Sequence, residues 1–365
     1  MRRVLLLAPL ILMSCGGGAG GDADTDHGVT APPPASPTPA GHRLAVPAAG
    51  QLYHGAYPGG RTGEEDDLTV ADVDAYETAA GRRLAWVYFS HNWYRSRSFP
   101  IVPATWIRSR GSMPFIRLML RDSDQQNRAE PVYTLERIAA GAFDADLAAW
   151  GDAARDFGTA LLAEWGTEMN GEWFSWNGTW NGGPGEGPRR FREAFRRIVT
   201  TVRGRGATNV SWVFHINGND VPDEGWNRFE NYYPGSDVVD WLGLSNYGAQ
   251  TPMDDEWPSF AEGMDAAVPR LVALAPDKPV AVLEFGVTQG NPRGNPAAWA
   301  DAALRDLTAN RWSSVRAFSW WNEAWENDNN PAHDTDMRVQ TVPGLSAVFR
   351  SRLSAASVLE RPQYE

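Results

Sequence analysis

The 365-residue sequence has a single cysteine, Cys15, so no disulfide bond can form within the chain. It also lacks an excess of positive charge. Its formal net charge is −12, which argues against a nucleic-acid partner, because nucleic-acid-binding proteins carry a basic surface. No Gly-x-Gly-x-x-Gly motif follows a strand and opens a helix, so a dinucleotide-binding fold is disfavoured. No His-x-x-x-His or comparable spacing indicates zinc, and we expect no metal and no cofactor.

The N-terminal residues are typical of an exported lipoprotein. Arg2 and Arg3 precede the apolar run Val4 to Met13, which is too short to span a bilayer. The sequence that ends at Cys15 resembles the bacterial lipobox, in which cleavage leaves a lipid-bearing cysteine at the new N-terminus. The alternative is a soluble secreted protein that is cut elsewhere. We expect a signal peptide at residues 1–14 and a membrane anchor at Cys15, which would place the protein in the bacterial cell envelope, facing outside the cytoplasm.

Residues 15–43 are rich in Gly, Ala and Pro and have no apolar periodicity, which predicts a disordered, lipid-anchored linker. From Leu44 onward, short apolar runs alternate with longer helical patterns. Eight runs are candidate strands: Leu52–Ala56, Leu84–Phe89, Pro114–Leu120, Ala160–Gly166, Val210–Phe214, Val239–Leu244, Val280–Phe285 and Val315–Trp320. Helices are clearest over Asp144–Phe157 and Pro188–Val202, where apolar residues fall on one face.

Alternating strands and helices with nearly continuous apolar strands indicate a parallel sheet. Eight units predict an α/β fold, a (β/α)8 TIM barrel that forms a single catalytic domain over residues 44–357, followed by a C-terminal tail at residues 358–365. An open, doubly wound sheet is the alternative. We expect a monomer.

Two glutamates lie at predicted strand ends, where the active site of such a barrel is expected. Active sites form at the C-terminal ends of the strands, and Glu168 follows the fourth strand while Glu284 closes the seventh. Glycosidic cleavage needs two carboxyl groups, one to protonate the leaving oxygen and one to act at the anomeric carbon. Either glutamate alone could be structural, but the pair at matching strand ends favours catalysis.

At these residues the sequence resembles glycoside hydrolase family 26, in the clan A of retaining barrel enzymes. The resemblance covers most of Leu52 to about Trp325 and is most specific in Glu168–Trp176, Tyr232–Gly235 with Val239–Gly248, and Lys278–Gly286. It implies that Glu168 is the acid/base and that Glu284 is the nucleophile of a covalent intermediate.

The resemblance also implies roles for aromatic and polar neighbours. Tyr247 would hydrogen-bond the nucleophile, and Trp173 would line the sugar site next to the cleavage point. A tryptophan of the eighth strand would form the base of the subsite before the cleavage point. That residue is Trp320 or Trp321, and we prefer Trp320. We also expect Asn170 and Trp176, within the same motif, to bind substrate. One departure is Thr167, where the family usually has histidine.

Other aromatic residues support a sugar ligand. The chain has 17 tryptophans, whose broad faces stack on sugar rings, although many are expected in the core. We interpret His91 and Trp93 as part of a sugar-contact loop. The acidic clusters Glu64–Asp67 and Glu326–Asn330 are interpreted as solvated loops rather than calcium sites.

Arg117 and Glu164 lie on neighbouring predicted strands. Glu164 has the same strand parity as Glu168, so both side chains would point into the barrel. Buried charges need partners. We therefore predict that Arg117 pairs with Glu164 or reaches the catalytic carboxylates.

These features favour an endo-acting retaining glycoside hydrolase of the O-glycosyl class that cleaves a polysaccharide, most simply β-1,4-mannan, by double displacement. A mixed-linkage β-glucanase and a β-1,3-xylanase are alternatives within the family. A non-catalytic cell-surface glycan-binding lipoprotein is an alternative of another class, as is an envelope factor that trims a self-made exopolysaccharide.

Overall fold

Eight parallel strands close into a barrel in the computed structural model, which describes residues 43–59 and 65–365. The strands are β1 (Leu52–Tyr57), β2 (Trp86–Asn92), β3 (Met113–Met119), β4 (Leu161–Trp165), β5 (Val210–Asn217), β6 (Trp241–Ser245), β7 (Val280–Phe285) and β8 (Val315–Trp321). Each strand pairs with the next, and β1 pairs with β8 to close the ring. The predicted (β/α)8 barrel is therefore confirmed.

Helices occupy the connections between the strands. They are α1 (Val70–Ala80), α2 (Ile101–Ser109), α3 (Leu135–Ala139), α4 (Asp144–Phe157), α5 (Gly183–Gly204), α6 (Phe260–Leu274), α7 (Pro296–Thr308) and α8 (Leu345–Leu353). The connection from β5 to β6 has a short 3-10 turn, Phe229–Tyr232, in place of an α-helix. The helix predicted from Pro188 begins earlier, at Gly183, because Pro184 occupies its first turn, where a missing N–H costs nothing.

The hydrophobic core has two layers that follow from strand alternation. Odd-numbered residues of β4, such as Ala163 and Trp165, point outward and pack against the helices. A smaller cluster fills the barrel itself and includes Tyr57, Tyr88 and Phe115. Because side chains fill the interior of the barrel, a ligand can bind only at one of its ends.

Segments near both ends of the described chain lie at the opposite end of the barrel. Strand β11 (Val358–Leu359) pairs with the start of β1, and Leu44 forms an antiparallel bridge with Tyr364. The predicted C-terminal tail, residues 358–365, is therefore paired with the start of the barrel. A two-stranded hairpin, β9 (Ala324–Trp325) with β10 (Thr335–Asp336), rises after β8 at the other end.

The predicted signal peptide, Cys15 and nearly all of the predicted linker lie outside the described residues. Within residues 43–59 and 65–365, no helix is both long enough and apolar enough to cross a membrane.

Candidate active site

A cavity of about 1270 Å³ opens at the C-terminal ends of the barrel strands. Glu168 and Glu284 both line it, as do Trp173, Tyr247 and Trp321. Both glutamates are nearly buried, with 8% and 5% of their surface exposed. The structure thus brings together the two carboxyl groups and three of the eight residues predicted to bind substrate.

A tight turn after β4 positions Glu168. Gly166 has φ +70°, and a Cβ atom there would lie 2.4 Å from the ring of Phe191, so the turn requires glycine. Glu168 itself has φ 49°, an uncommon left-handed conformation for a residue with a side chain. Its N–H donates to the carbonyl of His215 at 2.8 Å, which holds this conformation. Such strain is found where a side chain must be aimed at a functional site.

The loop that follows fixes the orientation of Glu168. The Trp173 indole Nε1 donates to Glu168 Oε2 at 2.8 Å. Trp176 is buried and its Nε1 donates to the Thr167 carbonyl at 2.7 Å. Asn170 is fully buried and binds the backbone of Asn217 through both amide atoms, at 2.8 and 2.9 Å. Trp176 and Asn170 therefore support the turn from beneath and do not line the cavity, contrary to the prediction of substrate contact.

An irregularity in β7 turns Glu284 toward the cavity. Ala281 and Leu283 point into the barrel while Val282 and Phe285 point outward, so simple alternation would send Glu284 outward as well. The pairing register shifts here on both sides of β7. Such bulges re-aim side chains beside active sites, and in this strand the shift brings Glu284 into the cavity with Glu168.

Glu284 is held by two donors. The Tyr247 hydroxyl donates to Glu284 Oε2 at 2.9 Å. Burial, and next the charge of Glu168, raise the pKa of Tyr247 well above its usual value, so the phenol keeps the proton that it donates. Arg117 Nη2 contacts Glu284 Oε1 in an ion pair that is almost fully buried. Together these groups stabilise the carboxylate form of Glu284, as a nucleophile requires.

The predicted pair of Arg117 and Glu164 is present in the structure. Arg117 Nε lies 3.0 Å from Glu164 Oε1, and both side chains are buried. Arg117 also contacts Glu65 at 2.8 Å through Nη1. Only 3% of Arg117 is exposed, so these carboxylates and not water are its partners. One guanidinium therefore compensates the charges of three carboxylates, including that of Glu284.

Glu164 has further partners at both of its oxygens. His215 Nδ1 lies 2.9 Å from Glu164 Oε2, and the Tyr88 hydroxyl donates to Oε1. Burial acts to raise the pKa of Glu164, but the nearby His215 and Arg117 outweigh it and hold the pKa below its ordinary value. The Thr167 hydroxyl lies 2.9 Å from the same His215 nitrogen. Thr167 is thus part of the polar network beneath Glu168.

The neighbouring tryptophans of β8 face opposite sides of the sheet. Trp321 lines the cavity, stacks on Tyr57 with ring centroids 4.3 Å apart, and lies 5.2 Å from the Arg117 guanidinium. Trp320 is completely buried behind the sheet, where it packs edge-on against Phe349 and donates to the Met337 carbonyl. Contrary to our preference for Trp320, it is Trp321 that lines the cavity.

His91 and Trp93 do not contact the cavity either. Trp93 is 2% exposed and packs against Tyr133 outside the barrel. His91 is 7% exposed, and burial lowers its pKa to about 4. The predicted sugar-contact loop is thus part of the packed core around β2.

Several cavity residues were not predicted from the sequence. Glu65, which we interpreted as part of a solvated loop, pairs with Arg117 and receives a hydrogen bond from Ser90 at 2.6 Å. Glu323 lies just beyond β8 and faces the same cavity. Residues with amide side chains also line the cavity; they are Gln126, Asn217, Asn219, Asn246, Gln250 and Gln289. These residues lie in loops, where no periodic pattern marks the side that faces a ligand.

The cavity is strongly acidic. Its lining includes seven carboxyl side chains, Glu65, Glu168, Glu284, Glu323, Glu326, Asp334 and Asp336, but only two arginines, Arg117 and Arg338. In the described part of the chain, no three His, Cys, Asp or Glu side chains form a group that could hold a metal ion. An acidic lining with aromatic and amide groups suits a neutral ligand rich in hydroxyl groups.

Known proteins resemble this chain. The sequence model of Glycosyl hydrolase family 26 matches residues 144–277. Endoglucanase H of Acetivibrio thermocellus is 26% identical over 288 residues, which are 78% of this chain and 29% of that protein. The mannan endo-1,4-beta-mannosidase of Bacillus subtilis is 29% identical over 158 residues, which are 43% of this chain and 37% of that protein. This chain therefore spans about a third of the length of these two relatives.

A solved structure shows a similar fold. The modular endo-beta-1,4-mannanase of Cellulomonas fimi aligns with a TM-score of 0.59 and 21% identity, over 86% of this chain and 72% of that one. At this identity the likeness concerns the architecture of the barrel alone.

Proposed function

We propose that this chain belongs to glycosyl hydrolase family 26 and is an endo-acting retaining glycoside hydrolase that cleaves β-1,4-mannan. The observation that carries this proposal is the pair Glu168 and Glu284, which face one cavity from the ends of different strands. Each carboxyl group is held by its own donors, an indole for Glu168 and a phenol with a guanidinium for Glu284. Two carboxyl groups with different partners are suited to two different roles.

The proposed reaction is a double displacement. Glu284 attacks the anomeric carbon while Glu168 gives its proton to the leaving oxygen, and the bond to that oxygen breaks. A water molecule then attacks the glycosyl-enzyme, Glu168 takes up its proton, and Glu284 leaves as a carboxylate. Arg117 and Tyr247 hold the nucleophile in place and stabilise the carboxylate at both ends of this cycle. No cofactor is needed, because water is the second substrate.

Neutral β-glycans are the substrates that the cavity favours. Its carboxyl groups outnumber its arginines, so an anionic polysaccharide would be repelled. Its volume of about 1270 Å³ exceeds that of a usual small-ligand pocket. Mannan is our first choice because a curated relative at 29% identity is a mannan endo-1,4-beta-mannosidase. Mixed-linkage β-glucan and β-1,3-xylan remain alternatives.

We also propose that the protein is a lipoprotein of the bacterial cell envelope. This proposal depends on Arg2, Arg3, the apolar run to Met13, and Cys15, which together resemble a lipoprotein leader. Expression of the full chain and of C15A, followed by separation of membranes, tests it. Loss of membrane association in C15A supports the anchor, and equal association of both chains contradicts it.

A polysaccharide panel with product analysis tests the activity. The chain from residue 43 is incubated with mannan, mixed-linkage glucan and β-1,3-xylan, with E284Q as the matched inactive control. Internal cleavage of mannan into short oligosaccharides by the unmodified protein alone is the expected result. No product from any of the three polysaccharides would contradict the proposed function.

A further inference from the structure

A third buried glutamate, Glu323, faces the cavity and has no part in the double displacement. It follows β8 by two residues and lines the same cavity as Trp321. Only 3% of its surface is exposed, and its Oε1 atom has no hydrogen-bond partner in the described chain. A buried polar atom without a partner is costly, and where it lines a binding cavity it points to a ligand that supplies the missing bond.

The backbone around Glu323 is fixed on both sides. The neighbouring Asn322 donates from its backbone N–H to Tyr57 at 2.9 Å and accepts from the Val339 N–H at 2.7 Å through its side chain. The carbonyl of Glu323 itself accepts from the Met337 N–H at 2.9 Å. The main chain that carries the carboxyl group is therefore held in place before any ligand arrives, which reduces the entropy lost on binding.

The surroundings of Glu323 determine its protonation. The charged and titratable groups near Glu323 come from several elements of the barrel. They are Glu65 and Asp67 in the loop after β1, Tyr57 at the end of β1, Arg117 in β3 and Tyr247 beyond β6, and Trp321 of β8 also lies close. Burial first, and then the negative charge of Glu65, raise the pKa of Glu323 to about 8, although a hydrogen bond from Trp321 opposes this. At neutral pH the group is thus largely a carboxylic acid, with one O–H donor and acceptor capacity.

We propose that Glu323 is a specificity-determining residue that binds a hydroxyl group of the sugar unit stacked on Trp321. The proposal rests on the proposed function for the identity of the ligand, a neutral β-glycan. Trp321 provides the flat apolar surface for one face of the ring, and the Glu323 carboxyl meets a hydroxyl at its edge. A protonated carboxyl can donate to that hydroxyl and also accept from it or from its neighbour. This pairing supplies the partner that Glu323 Oε1 lacks.

Binding measurements separate this proposal from the activity itself. In the E284Q background, which prevents turnover, calorimetry with mannohexaose, cellohexaose and β-1,3-xylohexaose identifies the tightest ligand. E323Q, which keeps a neutral donor and an acceptor, is expected to bind that ligand within about 3-fold of its parent, whereas E323L is expected to bind about 10-fold more weakly, the loss of one hydrogen bond. The unfolding midpoint of each variant, measured alongside, checks that a loss of affinity is not a loss of folding.

The change of binding affinity with pH distinguishes a direct contact from a purely structural role of Glu323, because a structural role would not make affinity depend on the Glu323 proton. Affinity in the E284Q parent should weaken above pH 8, where Glu323 loses its donor proton, and E323Q should not show this change. Unchanged affinity in E323L, or equal losses in E323Q and E323L, would overturn the proposal, as would failure of all three oligosaccharides to bind. Binding that depends on Glu323 without hydrolysis by the unmodified protein would overturn the proposed function alone.

Discussion

The Tyr247 hydroxyl donates a hydrogen bond of 2.9 Å to Oε2 of Glu284. Tyr247 follows β6 by two residues and Glu284 lies in β7, so the contact joins the ends of two neighbouring strands. It depends on the shifted register between β6 and β7, which brings Glu284 to the inner side of the barrel. The bond fixes the carboxylate at the point where nucleophilic attack would begin.

Removal of this hydroxyl should reduce catalysis without unfolding the protein. A hydrogen bond to a charged group contributes about 1.5–3 kcal/mol, so Y247F should lower kcat by roughly 10- to 100-fold. Steady-state kinetics on mannan together with the thermal unfolding midpoint measures both effects. A Y247F variant with unchanged kcat would show that the contact has no role in the reaction.

Arg117 should matter for stability as well as for activity. Its replacement by methionine leaves Glu65, Glu164 and Glu284 without their shared cation, and removing one partner of a buried ion pair typically costs about 3–5 kcal/mol. Denaturant unfolding of R117M measures this loss. R293M is the matched control, because Arg293 pairs with the exposed Asp255 and such surface pairs contribute about 1 kcal/mol or less. Equal unfolding free energies for the two variants would contradict the account.

The adjacent residues Trp320 and Trp321 should separate stability from binding. W320A creates a cavity in the fully buried layer behind the sheet, and we expect it to lower the unfolding free energy by about 3–5 kcal/mol. W321A removes the surface that faces the substrate cavity, and we expect it chiefly to raise KM. Kinetics and denaturant unfolding on both variants test this. The opposite assignment of the two effects would restore Trp320 as the sugar platform.

His54 should make folding stability depend on pH. Burial lowers its pKa from 6.5 to about 3, so the unfolded state binds a proton that the folded state does not. The contribution of the neutral imidazole is therefore fully present above pH 6.5 and is lost as the pH falls toward 3, by at most about 1.4 kcal/mol per pH unit. Urea unfolding of the unmodified chain and of H54Q between pH 4 and pH 7 measures it. A difference between them that does not change with pH would refute this linkage.

Sequence alone predicts the barrel because all eight strands are buried on both faces and read as apolar runs. Strand parity also predicts the contact of Arg117 with Glu164, which the structure pairs directly across β3 and β4. The same parity fails for Glu284, since a shift in register has no signal in the sequence. Strand parity also could not decide between Trp320 and Trp321, because the sequence does not show which of two adjacent tryptophans faces into the barrel.

The loops account for most of the remaining differences. Asn170 and Trp176 lie in the motif that follows β4, and that motif could not distinguish a residue that touches sugar from one that supports the turn. Glu323 lies beyond the end of β8 and is only 3% exposed, but it belongs to no strand or helix whose periodic pattern would predict its burial.

The central claim is that Glu168 and Glu284 together cleave a β-linked glycan. Hydrolysis of mannan by E168Q and by E284Q, with the unfolding midpoint of each variant as the control for folding, tests it most directly. Each substitution keeps the shape of the side chain and removes its ability to transfer a proton or to attack carbon. The account predicts that each variant folds normally and loses at least about 1000-fold in kcat, equivalent to about 4 kcal/mol of transition-state stabilisation. Unchanged turnover in both variants would contradict it.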